Sequence, residues 1–450
     1  MISITKLSNN FELVDLVNDT QLNKDNLICL ASGYQQLFKD NNLVKGDRIG
    51  LAMQEDSHHL AAVFAAMDLG LIIVISGEHE ITDEYISRRN IKCMITRGIQ
   101  PCTIHAKNVI HVDINTTQEI KNSIQEYVID HSNILVEALT SGSTGFPKCI
   151  SHTHDSIESA TKDSIKHYWQ NADTSWFFHN IVHLGISSVY FFPAIFHSKR
   201  MVIPPKVNEY SQELLDKYKP NIMLMFPSHI NAYPQLPYAD LSFVDYVLTG
   251  GSTISYNFCK RLLRQGVKKI AVIYGLTECL PPIVHKIVTM DNINEYNEKD
   301  MGHIIDHTGT YDINEDGILT ITGSTHLCKT INDNPVEEFI TNDKVTATSN
   351  GFTFERRAND LIRINNALVN PSQLIPDYLK DYIAIFSVSQ EQVVICMKKK
   401  DLHLDPLIQK LDANGIMYDK IITDIEMNVL GKPNINKLRE IYDNKNKGTS

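Results

Sequence analysis

The chain has 450 residues, 43% of them apolar and 21% charged, which is the composition of a folded globular protein too long for one hydrophobic core. Asp and Glu outnumber Lys and Arg by 53 to 42, giving a net charge of −11. Because such an acidic surface repels phosphate backbones and anionic lipid, we expect no nucleic acid partner and no membrane-surface role.

The eight cysteines are scattered without a CxxC pair, which indicates reduced thiols in a cytoplasmic protein and argues against a zinc cluster. The N-terminal segment Met1–Asn10 lacks the apolar core of a signal peptide. The two most apolar windows, Leu60–Ser76 and Val182–Phe196, are short and interrupted, so we expect no membrane span.

The first 130 residues alternate between helix-like and strand-like segments. Helical apolar spacing predicts helices over Leu27–Asn42 and His58–Leu69, and short apolar runs predict strands over Arg48–Met53 and Leu71–Ile75. The β-branched run in the second strand is typical of a strand buried on both faces. This alternation predicts βαβ units and a mainly parallel sheet.

The same pattern resumes after residue 150, with short apolar strands separated by segments that suit helices. The predicted strands are Met201–Ile203, Ile222–Phe226, Tyr246–Thr249 and Ile270–Tyr274, and the predicted helices are Ser211–Tyr218 and Ser255–Gln265. Within Thr310–Thr322 the turn cluster Asp312–Gly317 separates two short strands and indicates a small β section.

The last 90 residues predict a separate α+β lobe, with strands Tyr382–Val388 and Gln392–Met397 and helices Pro406–Ala413 and Ile435–Tyr442. We therefore predict an α/β protein. A large N-terminal domain over residues 1–356 contains mainly parallel sheets flanked by helices, plus a small β section. A small mobile C-terminal domain follows over residues 361–450, after a hinge near 357–360.

The sharpest local signal is the segment Leu139–Lys148, which reads LTSGSTGFPK after the predicted strand Ile134–Val136. Its glycines let backbone N–H groups approach an anion, its hydroxyls donate hydrogen bonds and Lys148 supplies positive charge. The spacing is not that of a Walker A loop. Taken alone, these residues are compatible with a polyphosphate-binding loop or with a Ser/Gly-rich surface linker.

The segment Thr140–Lys148 resembles at every position the T-S-G-[ST]-T-G-x-P-K signature of the adenylate-forming (ANL) superfamily of AMP-binding enzymes. This superfamily includes acyl-CoA synthetases, peptide-synthetase adenylation domains and luciferases. Further motifs follow in the family's order: Lys45–Arg48, Gly250–Ser252, Tyr274–Glu278, Asn342–Asp343, Arg357–Asp360 and Gly431–Lys432. The chain departs from the pattern at Cys149, Asn342, Asn359 and Asn366.

The resemblance implies a ligase reaction in two halves. A carboxylate attacks the α-phosphorus of ATP to give acyl-AMP and pyrophosphate, and a thiol then displaces AMP. An ionised carboxylate needs no general base, so the first half requires alignment and neutralisation of converging negative charge. The implied cofactors are ATP and Mg²⁺. The implied acceptor is CoA or the phosphopantetheine arm of a separate acyl or peptidyl carrier protein, and the hinge would let the small domain exchange Lys432 for a thiol channel.

The resemblance also implies the site residues. Catalysis would rest on Lys432, Thr277, Glu278 and His183, and Mg²⁺ would be held by Thr144 and Glu278. ATP or AMP would be bound by Thr140, Ser141, Gly142, Ser143, Thr144, Gly145, Lys148, Gly251, Ser252, Thr253, Tyr274, Gly275, Thr277, Asp343 and Arg357. The acid would be bound by His183, Gly185, Ser228, Gly250 and Ile273.

The segment around His183 carries information about the acid. Peptide-synthetase domains that select α-amino acids usually place an Asp in this segment, and none lies between Ser175 and Ser198. Because a buried ammonium without a partner is costly, a free α-amino acid is disfavoured. The sequence predicts an acid with an apolar or aromatic body.

Two alternatives remain open at this stage. A degenerate nucleotide-binding protein without turnover is favoured by the departures at Cys149, Asn359 and Asn366, and disfavoured by the intact Glu278 and Lys432. A kinase or ATPase that uses the phosphate loop alone would produce ADP, whereas adenylation produces AMP. A stand-alone adenylation enzyme that loads a separate carrier protein in natural-product biosynthesis is a variant of the leading interpretation.

Overall fold

The structure is a computed structural model, and it describes residues 3–75, 83–97, 110–113, 132–140, 148–177, 187–205, 212–227, 238–357, 362–364, 367–369, 374–376, 379, 382–389, 392–413, 416–425, 437–438, 441–442 and 444. Contacts divide the chain into two compact units. The first comprises Met1–Thr310 and Ile321–Phe339, and the second comprises Tyr311–Thr320 and Ile340–Ser450. Of the predicted hinge near 357–360, residues 358–360 lie outside the described residues, and that boundary stays a prediction.

The α-helices of the described residues are α1 (Lys24–Asp40), α2 (Ser57–Asp68), α3 (Asp83–Arg89), α4 (His154–Tyr168), α5 (Phe192–His197), α6 (Gln212–Tyr218), α7 (Tyr256–Arg264) and α8 (Asp405–Asp412). Local sequence fixes several of their N-termini. The Asn23 side chain caps α1, Asp56 caps α2 and Ser255 caps α7, each accepting from a backbone N–H of the first turn. In the described part of the chain, no helix is both long and apolar enough to span a bilayer.

The strands up to residue 203 are β1 (Glu12–Asp15), β2 (Thr20–Asn23), β3 (Arg48–Met53), β4 (Ile72–Ile75), β5 (Ile91–Arg97), β6 (Ile110–Asp113), β7 (Ile134–Thr140), β8 (Lys148–Thr153), β9 (Thr174–Trp176) and β10 (Arg200–Ile203). The next are β11 (Ile222–Leu224), β12 (Tyr246–Gly250), β13 (Lys269–Tyr274), β14 (Val284–Val288), β15 (His303–Ile304), β16 (Thr310–Ile313), β17 (Ile318–Thr322), β18 (Thr330–Ile331) and β19 (Asn334–Pro335). The last are β20 (Glu338–Ala347), β21 (Phe352–Arg357), β22 (Ile362–Ile364), β23 (Ala367–Val369), β24 (Ile383–Ser389), β25 (Gln392–Met397) and β26 (Met417–Ile422).

Two mixed sheets form the first unit. The nine-stranded sheet has the order β15-β14-β13-β12-β11-β9-β10-β1-β2, and its strands from β13 to β1 are parallel. The eight-stranded sheet has the order β19-β18-β8-β7-β4-β3-β5-β6, and its strands from β7 to β6 are parallel. The predicted α/β fold with mainly parallel sheets is confirmed.

Burial explains the all-apolar segments of the first unit. Every residue of β4 is buried, as its β-branched run predicts for a strand covered on both faces. Helix α2 is buried nearly all round, and its Phe64 ring packs against Phe191 and Phe196. Helix α2 therefore lies against the segment that leads into α5. This segment follows residues 179–188, the predicted acid-binding stretch.

The second unit contains most of a sheet in the order β16-β17-β20-β21, and a sheet in the order β24-β25-β26. Alternate residues of β24 and β25 belong to two apolar clusters, one on each face. One cluster includes Leu407 and Leu411 of α8, and the other includes Leu438. The predicted α+β character is thus observed. Of the predicted helix Ile435–Tyr442, the described residues 437–438 and 441–442 are helical.

One connection differs from what the sequence suggests. The predicted strand Ile134–Val136 extends to Thr140, and the chain returns as β8, antiparallel to β7, with Thr140 opposite Lys148. The Ser/Gly-rich segment therefore connects two hydrogen-bonded neighbours. The seven cysteines that the structure describes form no disulfide with one another.

Candidate active site

Two neighbouring parallel strands bring predicted nucleotide and acid residues together at their carboxyl ends. Gly250, the last residue of β12, lies opposite Ile273 of β13. Gly251–Thr253 follow β12, and Tyr274–Glu278 follow from the end of β13. Because ligands of parallel sheets bind beyond the carboxyl ends of the strands, this arrangement is that expected of a binding site.

Glycine is required at two positions of this site. A Cβ atom at Gly250 would lie 2.2 Å from the carbonyl oxygen of Ile273, and one at Gly275 would lie 2.5 Å from Cβ of Pro281. The second contact arises because the chain turns back, with the Leu276 N–H donating to the Cys279 carbonyl over 2.8 Å. The turn leaves Thr277 and Glu278 half-buried rather than in the core.

The exit of the predicted phosphate loop is fixed by Asn332. The Cys149 N–H donates to Oδ1 of Asn332 over 2.9 Å, and the Asn332 N–H donates back to the Cys149 carbonyl over 2.9 Å. Lys148, one residue earlier, is half-buried. Burial raises the pKa of the Cys149 thiol to about 11, so this departure from the family pattern is a protonated structural residue rather than a nucleophile.

A buried histidine joins that exit strand to the Thr277–Glu278 turn. Nε2 of His152 lies 2.7 Å from the Thr277 carbonyl, and Nδ1 lies 3.1 Å from Oγ of Ser156. Burial lowers the pKa of His152 to about 4, so the ring is neutral at pH 7. Because the carbonyl only accepts, the proton lies on Nε2. Nδ1 faces the hydroxyl of Ser156, which itself donates to the Thr153 carbonyl over 3.1 Å. Sequence reasoning missed His152, whose partner is 125 residues away.

The same turn is held from its other side. The Cys328 N–H donates to the Glu278 carbonyl over 2.8 Å, and the Lys329 N–H donates to the Ser151 carbonyl over 2.8 Å. Strand β18 then pairs with β8. The segment from Cys328 to β18 therefore connects the turn bearing Glu278 with the sheet whose strands flank the predicted phosphate loop.

Several predicted residues lie outside what the structure describes. These are Ser141, Gly142, Ser143, Thr144, Gly145, His183, Gly185, Ser228 and Lys432, together with Asn359 and Asn366. The predicted acid-binding stretch, residues 179–188, ends near this site. Oγ of its last residue, the buried Ser188, donates to the Pro281 carbonyl over 2.8 Å. The chain thus leaves that stretch beside the loop that follows Tyr274–Glu278.

Two predicted nucleotide residues lie in the second unit. Asp343 of β20 lies opposite Arg357 of β21 in the antiparallel register. Asp343 is buried, and its N–H donates to Oγ1 of Thr341 over 3.0 Å. The structure thus brings these two positions together within that unit.

We expect Gly250→Ala to destabilise the protein by about 3 kcal/mol, because the added methyl meets backbone and the two strands must separate. Thermal unfolding followed by circular dichroism measures the effect. Gly323→Ala is the matched control, since nothing lies within 4 Å of its added Cβ and only its positive φ of 69° imposes strain, about 1 kcal/mol. Equal losses in the two variants would contradict the close approach at Gly250.

Comparison with known proteins agrees with this geometry. A family model described as AMP-binding enzyme matches residues 29–323. Acyl-CoA synthetase FUM10 of Gibberella moniliformis is 26% identical over 266 residues, which are 55% of this chain and 42% of that protein. The chain therefore matches less than half the length of this curated relative.

Solved structures share the fold over nearly the whole chain. McyG A-PCP complexed with phenylalanyl-adenylate has a TM-score of 0.79 at 16% identity, covering 98% of this chain and 95% of that one. o-Succinylbenzoate CoA synthetase of Bacillus subtilis with its acyl-adenylate intermediate has a TM-score of 0.77 at 14% identity, covering 96% and 95%. A Mycobacterium tuberculosis fatty acyl CoA synthetase has a TM-score of 0.69 at 16% identity, covering 97% and 96%.

Proposed function

Because the chain belongs to the AMP-binding enzyme family, we propose that it activates a carboxylic acid as acyl-AMP and transfers the acyl group to a thiol. One observation carries the proposal. The turn bearing Thr277 and Glu278 follows strand β13, and it is hydrogen-bonded through His152 to β8, the strand that leaves the predicted phosphate loop. A nucleotide bound between those two elements would present its phosphates to both.

In the first step, a carboxylate oxygen of the acid bonds to the α-phosphorus, and the bond from that phosphorus to the bridging oxygen breaks. Pyrophosphate leaves with the bonding electrons, and no proton needs to move. The protein must hold the two anions together and stabilise the charge that develops on the leaving group. We assign that work to the hydroxyls and N–H groups of Thr140–Gly145, to Lys148 and to Lys432.

Glu278 and Thr144 are the residues we propose to hold Mg²⁺. The half-buried carboxylate of Glu278 fits a hard cation that prefers oxygen ligands and retains several waters. The ion, when bound, supplies positive charge to the departing phosphates. The backbone on both sides of Glu278 is fixed, by His152 at Thr277 and by Cys328 at Glu278 itself. This fixation pre-orients the ligand oxygen.

Tyr274 and Gly251–Thr253 are proposed to enclose the adenine. Asp343 is proposed to accept hydrogen bonds from the ribose hydroxyls, and Arg357 to bind ribose or phosphate. For the acid we propose an aryl or acyl group bound by Gly250, Ile273, His183, Gly185 and Ser228. The absence of an Asp between Ser175 and Ser198 supports this choice over a free α-amino acid. The acceptor thiol is proposed to be CoA or the phosphopantetheine of a separate carrier protein.

The second candidate is a nucleotide-binding member without turnover. The departures at Cys149, Asn359 and Asn366 favour it. The buried Cys149 is accommodated by Asn332 without loss of the hairpin pairing, which weakens the first of these arguments. We therefore place the active enzyme first.

The identity of the nucleotide product tests the reaction type. We expect the protein, given MgATP, a mixture of aryl and fatty acids and CoA, to release AMP and pyrophosphate in equal amounts, measured by anion-exchange chromatography. Formation of AMP should depend on the acid mixture. ADP and inorganic phosphate as the products would contradict adenylation and indicate a kinase or ATPase.

A further inference from the structure

A wholly buried histidine lies behind the turn that bears Glu278. Nδ1 of His326 is 3.1 Å from the Leu280 carbonyl, and Nε2 is 3.2 Å from Oδ2 of Asp163 on α4. Oδ2 of Asp306 is 3.8 Å from Nδ1. The His326 and Asp306 side chains are fully buried, and that of Asp163 is 25% exposed.

The direction of these contacts is set by chemistry. A carbonyl oxygen only accepts, so Nδ1 of His326 carries a proton and donates it to Leu280. The main chain adds a second bond, because the Leu280 N–H donates to the His326 carbonyl over 3.0 Å. One residue therefore holds both backbone groups of Leu280, two positions after Glu278.

His326 is itself fixed by its neighbours. Its N–H donates to Oγ of Ser324 over 3.0 Å, and that hydroxyl donates to Oδ2 of Asp306. Oδ1 of Asp306 accepts from the N–H and the hydroxyl of Thr308. The three side chains Asp163, Asp306 and His326 lie close enough to surround a cation. However, both Asp306 oxygens already accept hydrogen bonds from the protein, which argues for a buried polar network rather than a metal site.

We propose that His326 is a positioning residue for the nucleotide site, acting through the bond from Nδ1 to the Leu280 carbonyl. Asp163 lies on the opposite side of the imidazole ring, where Nε2 makes no hydrogen bond among the described residues. Together with the Cys328 bond to the Glu278 carbonyl, this contact fixes the turn 277–280 before nucleotide binds. The inference rests on the proposed function, since it assumes that the turn contacts MgATP.

Two isosteric variants separate this role from simple packing. Asn places an amide N–H near the position of Nδ1, and Gln places one near the position of Nε2. We expect His326→Asn to keep the bond to Leu280 and to bind MgATP within about threefold of wild type. We expect His326→Gln to bind about tenfold more weakly, the equivalent of one lost hydrogen bond. Calorimetric titration with MgATP measures both.

Amide hydrogen exchange of residues 276–282 gives a direct second readout, which should accelerate in His326→Gln and not in His326→Asn. Equal affinities for MgATP and equal amide exchange rates in the two variants would overturn the proposal. A transition metal bound stoichiometrically by wild type and lost from both variants would also overturn it. If neither variant folds, Ser324→Ala decides, because it removes the hydroxyl that accepts from the His326 N–H. Weaker MgATP binding supports the proposal, and unchanged binding overturns it. Wild-type protein that binds MgATP without adenylating would instead count against the proposed function alone.

Discussion

We expect Lys432→Ala to abolish acid-dependent adenylation while MgATP still binds. The substrate carboxylate and the triphosphate repel one another, and a single ammonium that contacts both would lower the barrier more than it strengthens ground-state binding. A loss of at least about 10²-fold in turnover is the usual size of such a term. Initial rates of AMP formation measure turnover, and calorimetry measures the dissociation constant for MgATP.

Lys400→Ala is the matched control, since Lys400 is an exposed lysine of the second unit. It should leave both quantities unchanged, because a solvated surface cation contributes little to a specific site. Loss of turnover and of MgATP binding in equal measure in Lys432→Ala would show that this lysine binds nucleotide rather than promoting the reaction.

Glu137→Ala should unfold the first unit at far lower temperature, with a loss of about 3–5 kcal/mol. Glu137 lies on β7, is fully buried, and accepts paired hydrogen bonds from Arg48 and Arg89 at 2.7–3.2 Å. Removing the carboxylate leaves two guanidinium groups without their shared partner, although Arg89 keeps its pair with Asp333. Thermal and urea unfolding of wild type and variant at pH 7 measure the difference.

The matched control is Glu84→Ala, which removes an exposed pair with Arg88 and should cost less than about 0.5 kcal/mol.

The pH dependence of stability provides a further check. Burial raises the pKa of Glu137, but hydrogen bonds from Arg48 and Arg89 outweigh it and hold the pKa below its usual value. Because the pKa of Glu137 is lower in the folded state, the carboxylate stabilises the protein at pH values above the unfolded-state pKa of about 4.3. This stabilisation is lost as the pH falls through the folded-state pKa. The difference in the free energy of unfolding between wild type and Glu137→Ala should therefore become smaller below about pH 4. A difference that grows in acid would contradict a lowered pKa of Glu137.

Apolar patterning predicts the sheets of this protein well. Arg48–Met53 and Gln392–Met397 are strands with the predicted bounds, and the turn cluster Asp312–Gly317 joins β16 to β17. These segments are specified by short-range features, namely alternation, β-branched runs and turn residues. Strand β8 is different, because four of the six residues in its sequence KCISHT are polar and its pairing with β7 spans the Ser/Gly-rich segment.

For the candidate site, the sequence located the motifs at the strand ends but not the residues that support them, and the roles of those motifs stay predictions. The motifs Gly250–Ser252 and Tyr274–Glu278 meet at neighbouring strand ends as expected. His152 and His326 carry no local signal, because each acts on a backbone carbonyl that is distant in sequence and is revealed only by the fold. The K-G-D-R turn, Lys45–Arg48, could be located from the sequence, but the partner of Arg48 could not. That partner is Glu137, 89 residues away.

Acid-dependent exchange of labelled pyrophosphate into ATP tests the central claim most directly, because it requires both formation and reversal of an acyl-adenylate and needs no thiol. A panel of aryl, fatty and amino acids should give exchange with at least one aryl or fatty acid and none with free α-amino acids. A protein that binds MgATP yet shows no exchange with any acid of that panel would contradict the account.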